Sequence, residues 1–316
     1  MRLRGHRQSR DDVAVNWRAW TAFAALCVIW GIPYFFIKLA VLEVSPFVVA
    51  WSRITLGALI LLPVAWHRQG LEAARGHWPF IAAFALAEFV VPFSAISYGE
   101  QYIESSVAGI LMAAVPLSMA LISRYFGVHE RLSAVRLCGL VLGLIGVICL
   151  VGFGPISGRQ GWIGVGCMVL ATLGYAIGPL IIQKHLSGIE STGPAAGSLT
   201  IASVVLLWPA TASWPGQMPS ETALYSIVLL GVLCTATAML LMFYLVTHAG
   251  ASRASVITYI NPVVATALGM ARLHERIGWG GALAFCLILL GSWLATRGSA
   301  MPAGVAAAAA AGNTVH

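Results

Sequence analysis

The sequence predicts an all-α membrane protein of ten transmembrane helices in two inverted five-helix repeats. Three observations carry this. Of its 316 residues, 59% are hydrophobic and only 9% charged, against a charged share of roughly 25% in soluble domains. The apolar runs are about 20 residues long, the length that spans a hydrocarbon core at 1.5 Å per helical residue. Finally, a series of landmarks recurs in order: Tyr98, Ser106, Ala108, Pro116 and His129-Glu130-Arg131 return as Tyr244, Ser252, Ala254, Pro262 and His274-Glu275-Arg276. The offset is 146 residues up to the prolines and 145 from the triplets onward, so the second copy is one residue shorter between helix centre and helix end.

Each span is read from its apolar run and from what interrupts or ends it. Span one, 18–40, carries Trp30, Gly31 and Pro33, with Lys38 near its end. Span two, 46–66, holds Arg53 and has Pro63 near its close; span three, 78–98, carries Glu88 and Pro92 and ends at Tyr98. Span four, 105–126, contains Pro116 and runs out to the first His-Glu-Arg triplet, and span five, 133–152, is glycine-rich. Spans six to ten, at 161–183, 194–212, 222–246, 253–271 and 277–296, repeat the series: Tyr175 and Ala176 fall opposite Trp30 and Gly31, Pro209 opposite Pro63, Cys234 opposite Glu88, and Gly291 opposite Gly146. These runs are apolar on every face, where a barrel strand alternates over about ten residues, so helices are the reading. The loops are short, and neighbouring spans are expected to be antiparallel.

Lys and Arg set the expected orientation. With the N-terminus in the cytoplasm, thirteen of the 18 basic residues fall on that side, satisfying the positive-inside rule with both termini cytoplasmic. Arg272 and Arg276 are placed outside although their repeat mates near Arg131 are inside. An odd number of spans per repeat resolves this, because the second half then enters the membrane upside down and places any substrate site near the midplane between the halves. The expected layout is a basic cytoplasmic segment at 1–17, repeats at 18–152 and 161–296, and a disordered Ala-rich cytoplasmic tail at 297–316.

Several function classes have little support. The pI near 9.3 does not point to nucleic acid, since the arginines are spread over short loops. The six cysteines lie within or at the edges of spans without a CxxC pair, and behave as small apolar residues. No HExxH, GxSxG, P-loop or metal-ligand cluster is present, so neither a metal nor a cofactor is expected. The first apolar run is of full span length, so no cleavable signal is read at the N-terminus.

With these residues in view, the chain resembles the EamA family of the drug/metabolite transporter superfamily. The resemblance rests on Trp30-Gly31, on Arg53, and on the stretch from Tyr98 through Pro116 to Glu130-Arg131 with its echo from Tyr244 through Pro262 to Glu275-Arg276. It covers roughly 18–296 and implies ten helices in two repeats moving small metabolites across the bacterial inner membrane, often outward. Members handle amino acids, purine derivatives, other metabolites or drugs, so no single substrate follows. Glu88 is not part of the general family pattern, and Arg53 has Leu199 in its place in the second half.

Among residues able to carry chemistry, Glu88 comes first. It lies about 15 Å into span three, near the bilayer centre, where an acidic residue costs about 3 kcal/mol on insertion scales. It is read as a proton-coupling residue, with a protonated Glu bonding a neighbouring helix as the structural alternative. Arg53 reaches a similar depth and is its candidate charge partner; the alternative is an arginine snorkelling to Glu43 or to lipid phosphate. Lys38 reads as a snorkeller. Pro116 and Pro262 kink their helices and free carbonyls, so with Asn261 they place a cavity along spans four and nine, unless the kinks serve packing alone. Trp30, Tyr34 and Tyr175 with Asn261 form the expected binding wall, suited to a flat or cationic substrate. Trp17, Trp20, Trp66, Trp78, Trp162, Trp208, Trp214 and Trp279 flank span ends and read as an interfacial belt. Gly139, Gly143 and Gly146, echoed by Gly278, Gly280, Gly281 and Gly291, form close-packing edges on spans five and ten, within the monomer or as a homodimer seam. The His-Glu-Arg triplets read as ion pairs orienting their loops.

The expected function is a secondary transporter of small metabolites or drugs, an exporter working by alternating access with proton coupling. The alternatives are a uniporter of the same fold, and a membrane-embedded enzyme acting on lipid, for which no nucleophile–base pair is found.

Overall fold

The computed structural model describes residues 17–123, 125, 133–153, 156, 158–249 and 257–296. The expected basic N-terminal segment, the Ala-rich tail, the first His-Glu-Arg triplet, and Ser252 and Ala254 lie outside the described residues. The described chain is helical, and nine helices are long and apolar enough to cross a membrane: Trp17–Val41, Pro46–His67, Trp78–Gly99, Ser105–Ile122, Ala134–Gly152, Gly158–Leu186, Thr192–Ala212, Glu221–Leu245 and Trp279–Thr296. They coincide with nine of the predicted spans. At the ninth predicted span the described helix is Ile257–Arg272, 16 residues, about 24 Å at 1.5 Å per residue.

Several spans are interrupted, and the interruptions have local causes. Span one divides into α1 (Trp17–Ile29) and α2 (Pro33–Val41), because Pro33 has no N–H to offer Ile29. Span two is the continuous α3 (Pro46–His67), started by Ser45, whose hydroxyl accepts from the Val48 N–H, and followed by the short α4 (Gly70–Ala73). Span three comprises α5 (Trp78–Ala85), a π turn over Leu86–Val90, and α6 (Val91–Gly99). Pro92 cannot donate to Glu88, and the Val91 N–H reaches back five residues to the Leu86 carbonyl. Span four breaks at Ala113-Ala114 between α7 (Ser105–Met112) and α8 (Val115–Ile122), just before Pro116. The Ala113 carbonyl accepts from the Ser292 hydroxyl at 2.6 Å, so a neighbouring helix satisfies this backbone group.

Then follow α9 (Ala134–Phe153), α10 (Gly158–Ile181) with a π turn over Ile182–Leu186, and α11 (Thr192–Ala212). Span eight is α12 (Glu221–Gly231), a π turn over Val232–Thr237, and α13 (Ala238–Ala249). This π turn contains no proline. The hydroxyls of Thr235 and Thr237 instead donate to the carbonyls of Leu230 and Val232, each five residues back, at 2.8 and 2.9 Å. It starts 146 residues after the π turn of span three, so Glu88 and its repeat mate Cys234 both lie on π turns. The last helices are α14 (Ile257–Arg272) and α15 (Trp279–Thr296).

Packing follows the repeat. α3 lies on α11, α7 on α14, and α9 on α15, each helix against its own mate; α1 and α2 lie on α13 and α12, while α10 lies on α5 and α6. The mate pairs run antiparallel. Along α3 and α11, Ser45 meets Ser213 and Thr55 meets Ser203, both hydroxyl to hydroxyl at 2.7 Å. On α9, a Cβ added at Gly139 would fall 2.7 Å from the Gly291 carbonyl oxygen, and one at Gly146 would fall 3.0 Å from that of Ala284. Shifting Gly139 and Gly146 by the offset of 145 gives Ala284 and Gly291, so these two contacts exchange when the halves are exchanged.

The glycine edges of spans five and ten are therefore spent against each other within one chain. Of the two readings of these edges, packing within one chain is the one seen: Gly139, Gly143, Gly146 and Gly291 stand against backbone or side chains of their own chain. The eight tryptophans assigned to the interfacial belt are all exposed, whereas Trp30 is half-buried.

Candidate functional site

Arg53 is the most buried cation of the expected site, with 4% of its surface exposed. It lies two turns into α3, a helix that Gly57 and Gly231 allow close to the second π turn. Its Nε donates to the Thr235 hydroxyl at 3.3 Å, and its guanidinium carbon stands 3.8 Å from the centre of the Phe93 ring. Arg53 and Glu88 make no ion pair, and the only one among the described residues joins Arg75 to Glu72 on the surface. This corrects the expected charge partnership. Nor does Arg53 snorkel to Glu43, whose two carboxylate oxygens accept from the Ser220 N–H and hydroxyl at 2.7 and 2.6 Å. The reason lies in the helix faces: Arg53 turns towards α6 and the second π turn, while Glu88 turns towards α10.

Glu88 rides on the first π turn with its carboxylate against Gly178 of α10. One oxygen, Oε2, is sealed from solvent and has no hydrogen-bond partner. Gly174, one turn earlier, brings the Ala87 carbonyl and the Pro92 ring onto the same helix, where a Cβ would fall 2.5 and 2.8 Å from them. The absence of side chains at Gly174 and Gly178 thus makes the slot that holds the π turn and its carboxyl group.

Of the expected binding wall, the structure gathers two members around Arg53. Tyr34 and Tyr175 lie within electrostatic reach of its guanidinium and of each other, and Tyr175 is also within reach of Glu88. Trp30 and Asn261 stand where the break between α1 and α2 meets α14, Trp30 packing against the cluster that holds Cys234. Gly31 at this break sits where a Cβ would be 3.0 Å from the Asn261 carbonyl oxygen. The Asn261 carboxamide, its nitrogen assigned from the surrounding acceptors, donates to the carbonyls of Ile257 at 3.0 Å and Cys27 at 3.2 Å. Its amide thus ties α14 to the end of α1.

A polar cluster at the end of span three was not read from the sequence. Glu100, in the turn after α6, is fully buried, and neither carboxylate oxygen has a hydrogen-bond partner. Lys38 is no snorkeller: its ammonium donates to the carbonyls of Glu100 at 2.5 Å and Ile103 at 2.9 Å. Burial pushes the Glu100 carboxyl well above the usual carboxylate range, with Glu275 adding to the rise and Lys38 and Arg53 opposing it. Glu104 is raised for the same first reason. The available signal was small residues: Gly99 lets the chain end of α6 close on α10, where a Cβ would be 3.1 Å from the Gly164 carbonyl oxygen. Among the described residues no group of three or more His, Cys, Asp or Glu converges as metal donors.

Helices long and apolar enough to cross a membrane, packed mate on mate with ionisable groups buried among them, define a polytopic membrane protein. The comparisons place it further. The model of the EamA-like transporter family matches residues 17–152 and again 162–297, and the chain belongs to that family. It is 24% identical over 281 residues to the uncharacterized transporter YoaV of Bacillus subtilis (strain 168), covering 86% of this chain and 94% of that one. It is 27% identical over 294 residues to the uncharacterized inner membrane transporter YedA of Escherichia coli (strain K12), covering 86% and 91%. A solved crystal structure shares its fold with a TM-score of 0.63 at 17% identity, over 88% of this chain and 96% of that one.

Proposed function

We propose that this chain is a secondary transporter that exports small metabolites or drugs across the bacterial inner membrane. Two inverted five-helix halves, 18–152 and 161–296, alternate access to a midplane site, and Glu88 exchanges a proton for substrate. Both termini face the cytoplasm, in keeping with the distribution of Lys and Arg, and the name of YedA supports the inner membrane.

The observation that carries this reading is the antiparallel packing of helices that are sequence mates. α9 and α15 cross through Gly139–Gly291 and Gly146–Ala284, two contacts that exchange with the halves. Mates running antiparallel are what an inverted repeat with its axis in the membrane plane produces. Two such arrangements of nearly equal energy are the requirement for rocking between inward and outward states. Glu88 adds an ionisable group at bilayer depth with a buried, unpartnered oxygen, the kind of residue that marks proton relays in pumps and transporters.

The test is transport by the full chain in liposomes, using a compound found by thermal stabilisation against amino acids, purines, polyamines and cationic drugs. A ligand at 100 times its Kd adds about 2.7 kcal/mol to stability. Glu88→Gln is expected to abolish uptake driven by a pH gradient while sparing counterflow. Unchanged pH dependence in that variant overturns the coupling role, and no response of the native chain to an imposed gradient makes it a uniporter.

A further inference from the structure

An arginine keeps its proton in proteins, so a buried guanidinium must have its charge met by something. Arg53 is 4% exposed, and its one hydrogen bond goes from Nε to a neutral hydroxyl, that of Thr235. The Phe93 ring beneath it gives a cation–π contact at 3.8 Å, which offsets only part of the cost of burying a cation. Glu100 is within electrostatic reach but makes no ion pair with it, and Glu88 turns away to Gly178. Both terminal nitrogens, Nη1 and Nη2, lack a protein acceptor among the described residues. Unlike Oε2 of Glu88 and both oxygens of Glu100, they are not among the unpartnered polar atoms wholly cut off from solvent. Four N–H donors in a rigid plane are thus left with no acceptor among the described residues, with Tyr34 and Tyr175 within electrostatic reach of the guanidinium.

We infer that the transported compound carries an anionic group, a carboxylate or phosphate, which binds the fork of Arg53 between Tyr34 and Tyr175. This rests on the transport reading above and names its substrate class. A planar guanidinium accepts such a group through two parallel hydrogen bonds, a match an ammonium does not reproduce. The Phe93 ring and the Thr235 hydroxyl hold the guanidinium in place before the ligand arrives, so little ordering cost remains at binding. A cationic compound, allowed by an aromatic wall alone, is disfavoured here because its charge would lie beside a like charge in a low-dielectric interior.

The experiment is thermal unfolding of the purified full-length chain with four probes that share one ring and differ in the head group: phenylacetate, phenyl phosphate, phenethylamine and phenethyl alcohol. One or both anions are expected to raise Tm, and the better of the two identifies carboxylate or phosphate as the preferred group. The amine and the alcohol are expected to leave it unchanged. In Arg53→Gln the anion should bind at least about tenfold more weakly, the loss expected for a hydrogen bond to a charged group. Arg53→Lys, which keeps the charge but not the fork, should fall between. Stabilisation by the amine alone overturns the inference, as does anion binding unchanged in Arg53→Gln, or silence from all four probes. If Arg53→Gln does not fold, Arg53→Lys and the comparison of anion with amine on the native chain decide. Transport is read separately through the pH gradient, so a chain that moves an uncharged or cationic compound keeps the transport reading and loses this one.

Discussion

Glu275 closes over the start of α7 at Ser105. Its Oε1 accepts from the Ser105 N–H at 2.8 Å and from the Ser105 hydroxyl at 2.9 Å, and its Oε2 accepts from the Ser106 N–H at 2.8 Å. The carboxylate comes from the loop after α14 and caps a helix of the other half, where free N–H groups and the positive end of the helix dipole favour an anion. The repeated His-Glu-Arg triplet was expected to orient its loop through an ion pair, and in the second copy the acid instead binds backbone.

Removing this cap leaves three donors without an acceptor. Glu275→Ala is expected to cost about 1–3 kcal/mol, the penalty for donors left open, and to lower Tm by about 2–6 °C. Glu275→Gln keeps one carbonyl oxygen and should lose less. His274, just before it, holds a left-handed φ of 56°, so His274→Gly should be tolerated or mildly stabilising. Thermal unfolding in detergent checks the series; a Glu275→Ala chain melting with the native one would show that the cap contributes nothing.

Glu100 gives a pH prediction. Its carboxyl is raised above the ordinary 4.5 by burial, so the ionised form is less favourable in the folded chain than in the unfolded one. Below about 4.5 the group is protonated in both states and carries no penalty; as pH climbs from there through the raised value, the unfolded chain releases the proton first and stability falls. Glu100→Gln removes that term and should flatten the decline of Tm with rising pH, with Glu104, shifted in the same direction, leaving a residual slope. Parallel curves of Tm against pH for native and Glu100→Gln chains would be evidence against an ionisation penalty at this position.

Composition and periodicity carried the helices, and the offset between Pro116 and Pro262 carried the pairing of mates, because both depend on patterns that run along the chain. The site was less legible. That Arg53 and Glu88 share a depth follows from counting residues, but which face each presents depends on π turns that add a residue to the helical register. One of these is traceable to Pro92, while the other rests on Thr235 and Thr237, whose hydroxyls give no such signal. Glu100 does lie past the end of α6, but its burial was not legible, because hydropathy marks a glutamate there as the edge of the membrane while the close approach of Gly99 to α10 covers it. Asn261 was read as a member of the binding wall, and its amide donates to carbonyls beside the break between α1 and α2, a contact no pattern along the chain announces.

The glycine seam separates packing within the chain from assembly between chains. A Cβ at Gly291 would fall 2.5 Å from the Gly143 Cα and 2.7 Å from the Gly139 carbonyl oxygen, backbone atoms that cannot swing aside as a side chain can. Gly291→Ala should therefore force α9 and α15 apart and cost about 1–3 kcal/mol, the range for overpacking; Gly291→Leu should prevent folding. Gly152→Ala is the control, since nothing lies within 4 Å of its added methyl group, and it should be neutral or slightly stabilising through the higher helix propensity of alanine. Light scattering coupled to gel filtration, with a melt of each peak, reads both quantities. Because the seam lies inside one chain, Gly291→Ala should lower Tm without changing the mass of the particle. A folded Gly291→Ala chain of unchanged Tm whose mass drops from two copies to one would assign the seam to a dimer instead.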